Sequence, residues 1–231
     1  MFEISPAEWT AILLSLRVAV IATLVATPFG IALAWLLARH DFWGKSILDA
    51  AVHLPLVLPP VVTGYLLLLT FGRRGLVGAW LADHLGVVFA FRWTGAALAC
   101  GIMSFPLLVR PIRLSIEAVD RRLEQAAGTL GAAPWRVFLT ITLPLALPGV
   151  LAGMVLGFAK AIGEFGATIT FVSNIPSETQ TISSAIYSLI QTPDGDTAAL
   201  RLVLISILIA MTALVGSEWF SRRALQRLHG N

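Results

Sequence analysis

EQAAGTLGAAPWRVFLTITLP, residues 124–144, is a polar, basic, helix-prone insert between two apolar spans of an otherwise oily chain. The run from Ser115 to Leu130 is rich in Glu, Ala, Leu and Arg, which are good helix formers. Gly131 then offers a C-terminal stop, because a left-handed backbone comes cheaply only to glycine. Pro134 suits the first turn of a second short helix, where its missing N–H would have no partner anyway. Leu143-Pro144 is expected to end that helix and open the next span. The pattern predicts helix, turn, helix. Ala126 and Ala127 leave its surface shallow, as a handle gripped by a soluble partner requires.

Outside this insert, composition decides the class. The 231 residues are 57% hydrophobic and only 13% charged, whereas soluble domains carry about 25% charged residues. Mean hydropathy is +0.84. The chain therefore reads as an all-α, multi-pass membrane protein. One domain over 1–231 is expected, with a cytoplasmic loop at about 115–143. The net charge of +3 is small, and the basic residues form no nucleic-acid patch. Cys100 is alone, so neither an internal disulfide nor a cysteine metal site can form. The first eight residues carry Glu3 and Glu8 and no basic residue, which argues against a cleavable signal and for a short acidic tail.

Five spans are expected: 9–38, 50–71, 94–109, 144–162 and 198–219. Val18–Ala38 is free of charge, enough for the roughly 20 residues a hydrocarbon core needs. Arg17 sits at its outer end. In the second span, Pro59, Pro60 and Thr63 free backbone carbonyls that need partners, which directs them to the bundle interior. Gly153 and Gly157 in the fourth span form a small-xxx-small face for close helix packing. Residues 167–197 lack Lys and Arg and are expected to hold a re-entrant or extended hairpin. Ten basic residues fall on the side of the insert and three on the other, all three within 72–93. That places the N-terminus outside and the insert and C-terminus in the cytoplasm. A six-span alternative would have 76–91 cross and the N-terminus inside.

Two chemical readings can be weighed from the residues. Gly44-Lys45-Ser46 looks like the end of a phosphate loop, but that motif needs a glycine at position 39, which is Arg. No nucleotide site is expected in this chain, so energy must come from another. A membrane-embedded enzyme would need His, Asp, Glu or Ser clustered in one pocket. The four histidines (His40, His53, His84 and His229) are scattered. No catalytic residue and no metal site is expected.

The insert resembles the EAA loop of permease subunits of ABC importers. That pattern is Glu-Ala-Ala, three residues, Gly, nine residues, Ile, one residue, Leu-Pro. Ala126, Ala127, Gly131, Ile141, Leu143 and Pro144 fall in register; Gln125 holds the Glu position, with Glu124 beside it. The resemblance implies the type I importer fold and no cofactor in this chain. It implies a homodimer of permeases, two cytoplasmic ABC ATPases that bind ATP and Mg, and a periplasmic or extracellular binding protein. Coupling to the ATPase would fall to Glu124, Gln125, Ala126, Ala127, Gly131, Ile141, Leu143 and Pro144. The segments PLVLPPVVTGYLLLLTFG (55–72) and AIGEFGATITF (161–171) resemble those of molybdate permeases, with sulfate and tungstate permeases related. The resemblance thus implies a molybdate importer of the bacterial cytoplasmic membrane, surrounded by lipid, with a molybdate-binding protein as partner. Sulfate, tungstate or another oxyanion is the alternative cargo. Pro59, Pro60, Thr63, Gly163, Glu164 and Gly166 are candidates for the translocation pathway. Glu164 is not a direct anion ligand, because like charges repel. Lys160, four residues earlier, could pair with it on a continuing helix.

Overall fold

The computed structural model describes residues 4–228, with side chains described through residue 216. Every regular element among them is helical. The organising helix is α5 (Trp93–Ala118), packed between α1 (Pro6–Arg39) and α8 (Leu143–Ile162). Its buried stripe takes every fourth residue: Ala96, Cys100, Ser104, Leu108, Ile112 and Ile116. Such a stripe drifts about 40° per step around a helix of 3.6 residues per turn. It therefore meets different neighbours along its length. Ala96 and Cys100 pack with Val18 and Ala22 of α1, and Leu108 and Ile112 pack with Ala34 of α1 and Val150 of α8.

Close approach is what holds this core. Lipid is as apolar as leucine, so helices in a membrane associate through packing of small residues rather than through the hydrophobic effect. A Cβ on Gly153 would stand 2.5 Å from the Leu108 carbonyl oxygen, and one on Gly149 would stand 2.6 Å from that of Pro111. Gly157 is in ordinary contact with Leu108, so the expected small-residue face is real and extends back to Gly149.

Among the described residues, four helices are long and apolar enough to cross a membrane: Pro6–Arg39, Trp93–Ala118, Pro134–Ile162 and Asp196–Gly216. A bent pair, α2 (Lys45–Val57) and α3 (Pro60–Phe71), turned by 114° at the break, is a broken span or a re-entrant loop, and brings the number to five if it counts as one span. The expected second span, 50–71, is thus broken at its prolines, because Pro59 caps α3 and Pro60 opens it with no N–H to continue the ladder. α4 (Leu76–Leu85) spans ten residues and ends at left-handed Gly86. At about 15 Å it is too short to cross, which removes the six-span alternative.

The expected acidic tail is also corrected. Ser5 caps α1 in a reciprocal box with Glu8, and Glu8 is buried, paired at 2.9 Å with Arg201. Arg201 belongs to α11 (Asp196–Leu228), so this pair joins the first and last spans. Glu3 and His229 lie outside the described residues, as do the side chains of Arg222, Arg223 and Arg227. Between α8 and α11 the chain makes two short helices, α9 (Gly166–Val172) and α10 (Ile182–Leu189). The loop between them doubles back. The Ser183 hydroxyl donates to the Ile162 carbonyl at 3.3 Å, and the Ile182 N–H donates to the Ser15 hydroxyl at 2.7 Å. The segment expected as a re-entrant or extended hairpin thus consists of two short helices, the second of which starts beside the end of α8.

Candidate functional site

The insert begins with an unexpected break. α5 stops at Ala118, Val119 is extended, and Asp120 caps a separate helix, α6 (Arg121–Thr129). The Asp120 carboxylate accepts the Arg122 N–H at 2.9 Å, satisfying a donor that a continuous helix would have used internally. At its other end α6 stops as expected. Gly131 has φ of +84°, its N–H bonds the Gly128 carbonyl at 3.0 Å, and the Ala132 N–H bonds that of Ala127 at 3.1 Å. This crossed pair is a Schellman stop.

Pro134 then opens α7 (Pro134–Val137), also as expected. The expected break at Leu143-Pro144 does not occur. A π turn over Phe138–Thr142 carries the helix directly into α8, with the Leu143 N–H on the Phe138 carbonyl five residues back. A proline inside a regular helix lacks a donor and crowds the carbonyl four residues back; widening the preceding turn relieves both. Ile141, Leu143 and Pro144 accordingly belong to the start of a span, and Leu143 packs on the Ile112 and Val150 cluster.

Glu124 is the residue that fixes the insert to the bundle. Its Oε1 lies 3.0 Å from Arg39 Nη2 and accepts the Thr142 hydroxyl at 2.6 Å. The same Arg39 Nη2 donates to the Val119 carbonyl at 3.0 Å. The Glu124 carboxylate thus ties α6 to the inner end of α1 and to the π turn, and Arg39 in turn ties α1 to the residue that ends α5. Arg39 is only 9% exposed and Thr142 is buried, so these charge-assisted bonds are shielded from water. Below them a cavity of about 350 Å³ is lined by Trp35, Arg39, Glu124 and Phe138. Beside it, Arg113 bridges Asp49 at 2.9 Å and Glu117 at 2.8 Å.

Arg121 also donates to the Ala38 carbonyl at 3.4 Å, and Arg121, Gln125 and Gly128 line the same cavity; the other residues of α6 face outward. None of its residues is buried. Gln125 and Ala126 are exposed and Ala127 partly so. Leu123, Leu130 and Trp135 add apolar surface at 49%, 89% and 61% exposure. The expected coupling residues therefore divide into three groups. Ala126 and Ala127 lie on a presented face, with Gly131 as its stop, and Gln125 is exposed at the rim of the cavity. Glu124 is an inward anchor. Ile141, Leu143 and Pro144 lie in the span behind. Arg39 and Thr142 were not singled out from the sequence; the available signal was that Arg39 is the first charge after the apolar run Val18–Ala38.

The candidate pathway residues gather where α3 meets α9. A Cβ on Gly166 would stand 2.6 Å from that of Pro60, and one on Gly64 would stand 2.5 Å from the Ala167 carbonyl oxygen. Pro59 and Pro60 are exposed at the bend, and Thr63 is buried with no hydrogen-bond partner for its hydroxyl. Glu164 is buried and pairs with Lys160 at 2.7 Å although the helix ends at Ile162. Its second oxygen accepts the Ala167 N–H at 3.0 Å. Glu164 thereby links the last turn of α8 to the first of α9. Gly163 sits at φ of −85°, which any residue adopts, so the break there does not depend on glycine. Among the described residues no cluster of His, Cys, Asp or Glu could hold a metal ion.

With this geometry in hand, comparison with known proteins is informative. Residues 26–226 match the family described as "Binding-protein-dependent transport system inner membrane component". The chain is 62% identical to the "Molybdenum transport system permease protein ModB" of Escherichia coli (strain K12), over 95% of this chain and 96% of that protein. It is 58% identical to the ModB of Haemophilus influenzae, over 96% of each. A probable sulfate transport system permease protein of Nephroselmis olivacea is 34% identical over 93% of this chain and 75% of its own length. Among solved structures, a bacterial ABC transporter for import of alginate superposes with a TM-score of 0.74 at 21% identity, covering 95% of this chain and 80% of that one. The methionine ABC transporter MetNI superposes at 0.66 and 13% identity, covering 96% and 99%. At those identities the structural matches speak to the fold, which is that of ABC importer permeases.

Proposed function

The chain belongs to the family of binding-protein-dependent transport system inner membrane components, and from that premise we propose that it is the membrane-spanning subunit of an ATP-driven molybdate importer. It is a permease rather than an enzyme; ATP and Mg are bound by a separate ATPase chain. Two copies form the pathway, two ATPases dock beneath, and a binding protein delivers the anion from outside. The orientation from basic residues puts α6 on the cytoplasmic side, where the ATPases are.

The observation that carries this reading is the pairing of an exposed helix with a rigid anchor. A docking helix must present a face, and α6 leaves none of its residues buried. It must also transmit displacement, and a loose loop would absorb it. The Glu124 bonds to Arg39 and Thr142 fix α6 to α1 and to the π turn, and Arg39 links α1 onward to the end of α5. When nucleotide brings the ATPases together, α6 moves, and α1, α5 and α8 move with it. The bundle then rocks between outward and inward openings.

At the other end, the contact of α3 with α9 is the part of this chain assigned to the pathway. The charge of Glu164 is paired with Lys160 rather than presented bare to an anion. Cargo recognition is left mainly to the binding protein, because a tight site in the permease would trap the ion. Molybdate is supported by the names of relatives at 62% and 58% identity. Sulfate is the second reading, supported by the permease at 34%.

Uptake separates them. Membranes holding this chain, its ATPase and its binding protein are given labelled molybdate with excess unlabelled sulfate or tungstate. ATP-dependent entry that sulfate leaves unchanged is expected. Full competition by sulfate would move the cargo to oxyanions in general. Competition by tungstate alone would leave molybdate and tungstate as joint cargo.

A further inference from the structure

The outer half of the bundle carries a second feature, apart from α6 and from the contact of α3 with α9. A cavity of about 650 Å³ opens between α1, α2 and α5, lined by Phe29, Val52, Pro55, Phe89, Trp93 and Phe105 among others. Its walls are almost wholly apolar. We propose that this groove binds an anionic phospholipid, with an acyl chain along the groove and the phosphate on Arg17.

Depth is the first support. Arg17 and Arg39 lie 22 residues apart on one unbroken helix, or about 33 Å at 1.5 Å per residue. The hydrocarbon core is about 30 Å thick. With Arg39 at one interface, in the insert's anchor, Arg17 falls at headgroup level on the other. Trp93 lies at the same level, as expected of a tryptophan in an interfacial belt.

Charge is the second. The Arg17 guanidinium lies over the Trp93 ring at 3.7 Å from its centroid, and Trp93 lines the groove. Arg17 is exposed, and among the described residues no carboxylate pairs with it. Stacking holds the plane and leaves the edge N–H donors free, in the fork geometry that suits phosphate. Arg92, next to Trp93, is exposed and likewise without a carboxylate partner among the described residues. Unpaired arginines on the outer side run against the usual placement of basic residues. A lipid phosphate supplies the missing counter-charge, and the groove beside it supplies room for the chain. A zwitterionic headgroup brings its own cation, so two arginines favour a lipid with net negative charge. This site is independent of the cargo.

The test uses the full-length permease with its partner ATPase in detergent, washed and then supplied with phosphatidylglycerol or phosphatidylcholine. Native mass spectrometry reads the lipid retained. Phosphatidylglycerol is expected to be held about fivefold better, from about 1 kcal/mol for a basic residue near an anionic headgroup. Arg17→Gln, on an exposed side chain that leaves the fold alone, should remove that preference, and Arg17→Lys should keep most of it. Gly101→Leu, which fills the groove wall, should lower retention of both lipids. Equal retention by the unaltered protein, or an unchanged preference in Arg17→Gln, overturns the proposal. So does an oxidised disulfide between two copies carrying Ala97→Cys, which would put the second permease in the groove.

Discussion

The two ends of the bundle solve opposite problems with opposite materials. At the inner end, α6 is an exposed helix held off the bundle by side chains: Glu124, Arg39 and Thr142. At the outer end, α3 meets α9 with backbone almost on backbone, through Gly64, Pro60 and Gly166. The inner anchor has slack, because a side chain can be shortened and a hydrogen bond lost without moving a helix axis. The outer contact has none, because nothing smaller than glycine exists. Substitutions should therefore be graded at the inner end and abrupt at the outer one.

The largest effect is expected from Gly64→Val. Its Cβ would meet the Ala167 carbonyl oxygen at 2.5 Å and Thr170 at 2.9 Å, neither of which is the end of a flexible side chain. Overpacking of this kind costs about 1–3 kcal/mol or more. The variant should melt earlier in detergent and lose uptake entirely. Uptake near the unaltered level would show that α3 and α9 separate freely and would erase the contrast between the two ends.

A middle effect is expected from Glu124→Ala. Hydrogen bonds to charged groups contribute about 1.5–3 kcal/mol, and Arg39 would be left with only the Val119 carbonyl. The bundle should stay folded while ATP hydrolysis continues with less transport per ATP. Glu124→Gln keeps an acceptor for Thr142 and should fall in between. If Glu124→Ala couples normally, the anchor does not transmit force.

The smallest change in stability among these belongs to Gly131→Ala. No atom lies within 4 Å of the added Cβ, so the strain is only that of a left-handed backbone at φ of +84°, about 1–2 kcal/mol. The α6 stop should loosen and the melting temperature drop slightly. A loss as large as that of Gly64→Val would mean that the inner end is as tightly packed as the outer.

What could be read from the chain follows the same division. Features set by neighbours in sequence were legible: the Gly131 stop, Pro134 at a helix start, and the Lys160–Glu164 pair. The crossings were legible from apolar length. Features set by distant residues were not. Arg39 and Glu124 are 85 residues apart, and Glu8 and Arg201 are 193 apart. Nothing local in either partner names the other, so Glu8 read as part of a tail. Two local devices were also missed. Asp120 competes with the helix as a side-chain cap, and the π turn absorbs Pro144 where a break was expected. Both are choices between nearly equal backbone paths, which local sequence alone does not decide.

The claim that α6 is the docking helix is tested most directly by Ala126→Trp. Ala126 is exposed, so the bulky side chain should leave insertion and melting unchanged. ATPase retained on the purified permease and ATP-driven molybdate uptake are then measured on the same preparation. Loss of both in a normally folded protein is the expected result. A fully retained ATPase with uptake at the unaltered level would contradict it and move the docking surface elsewhere.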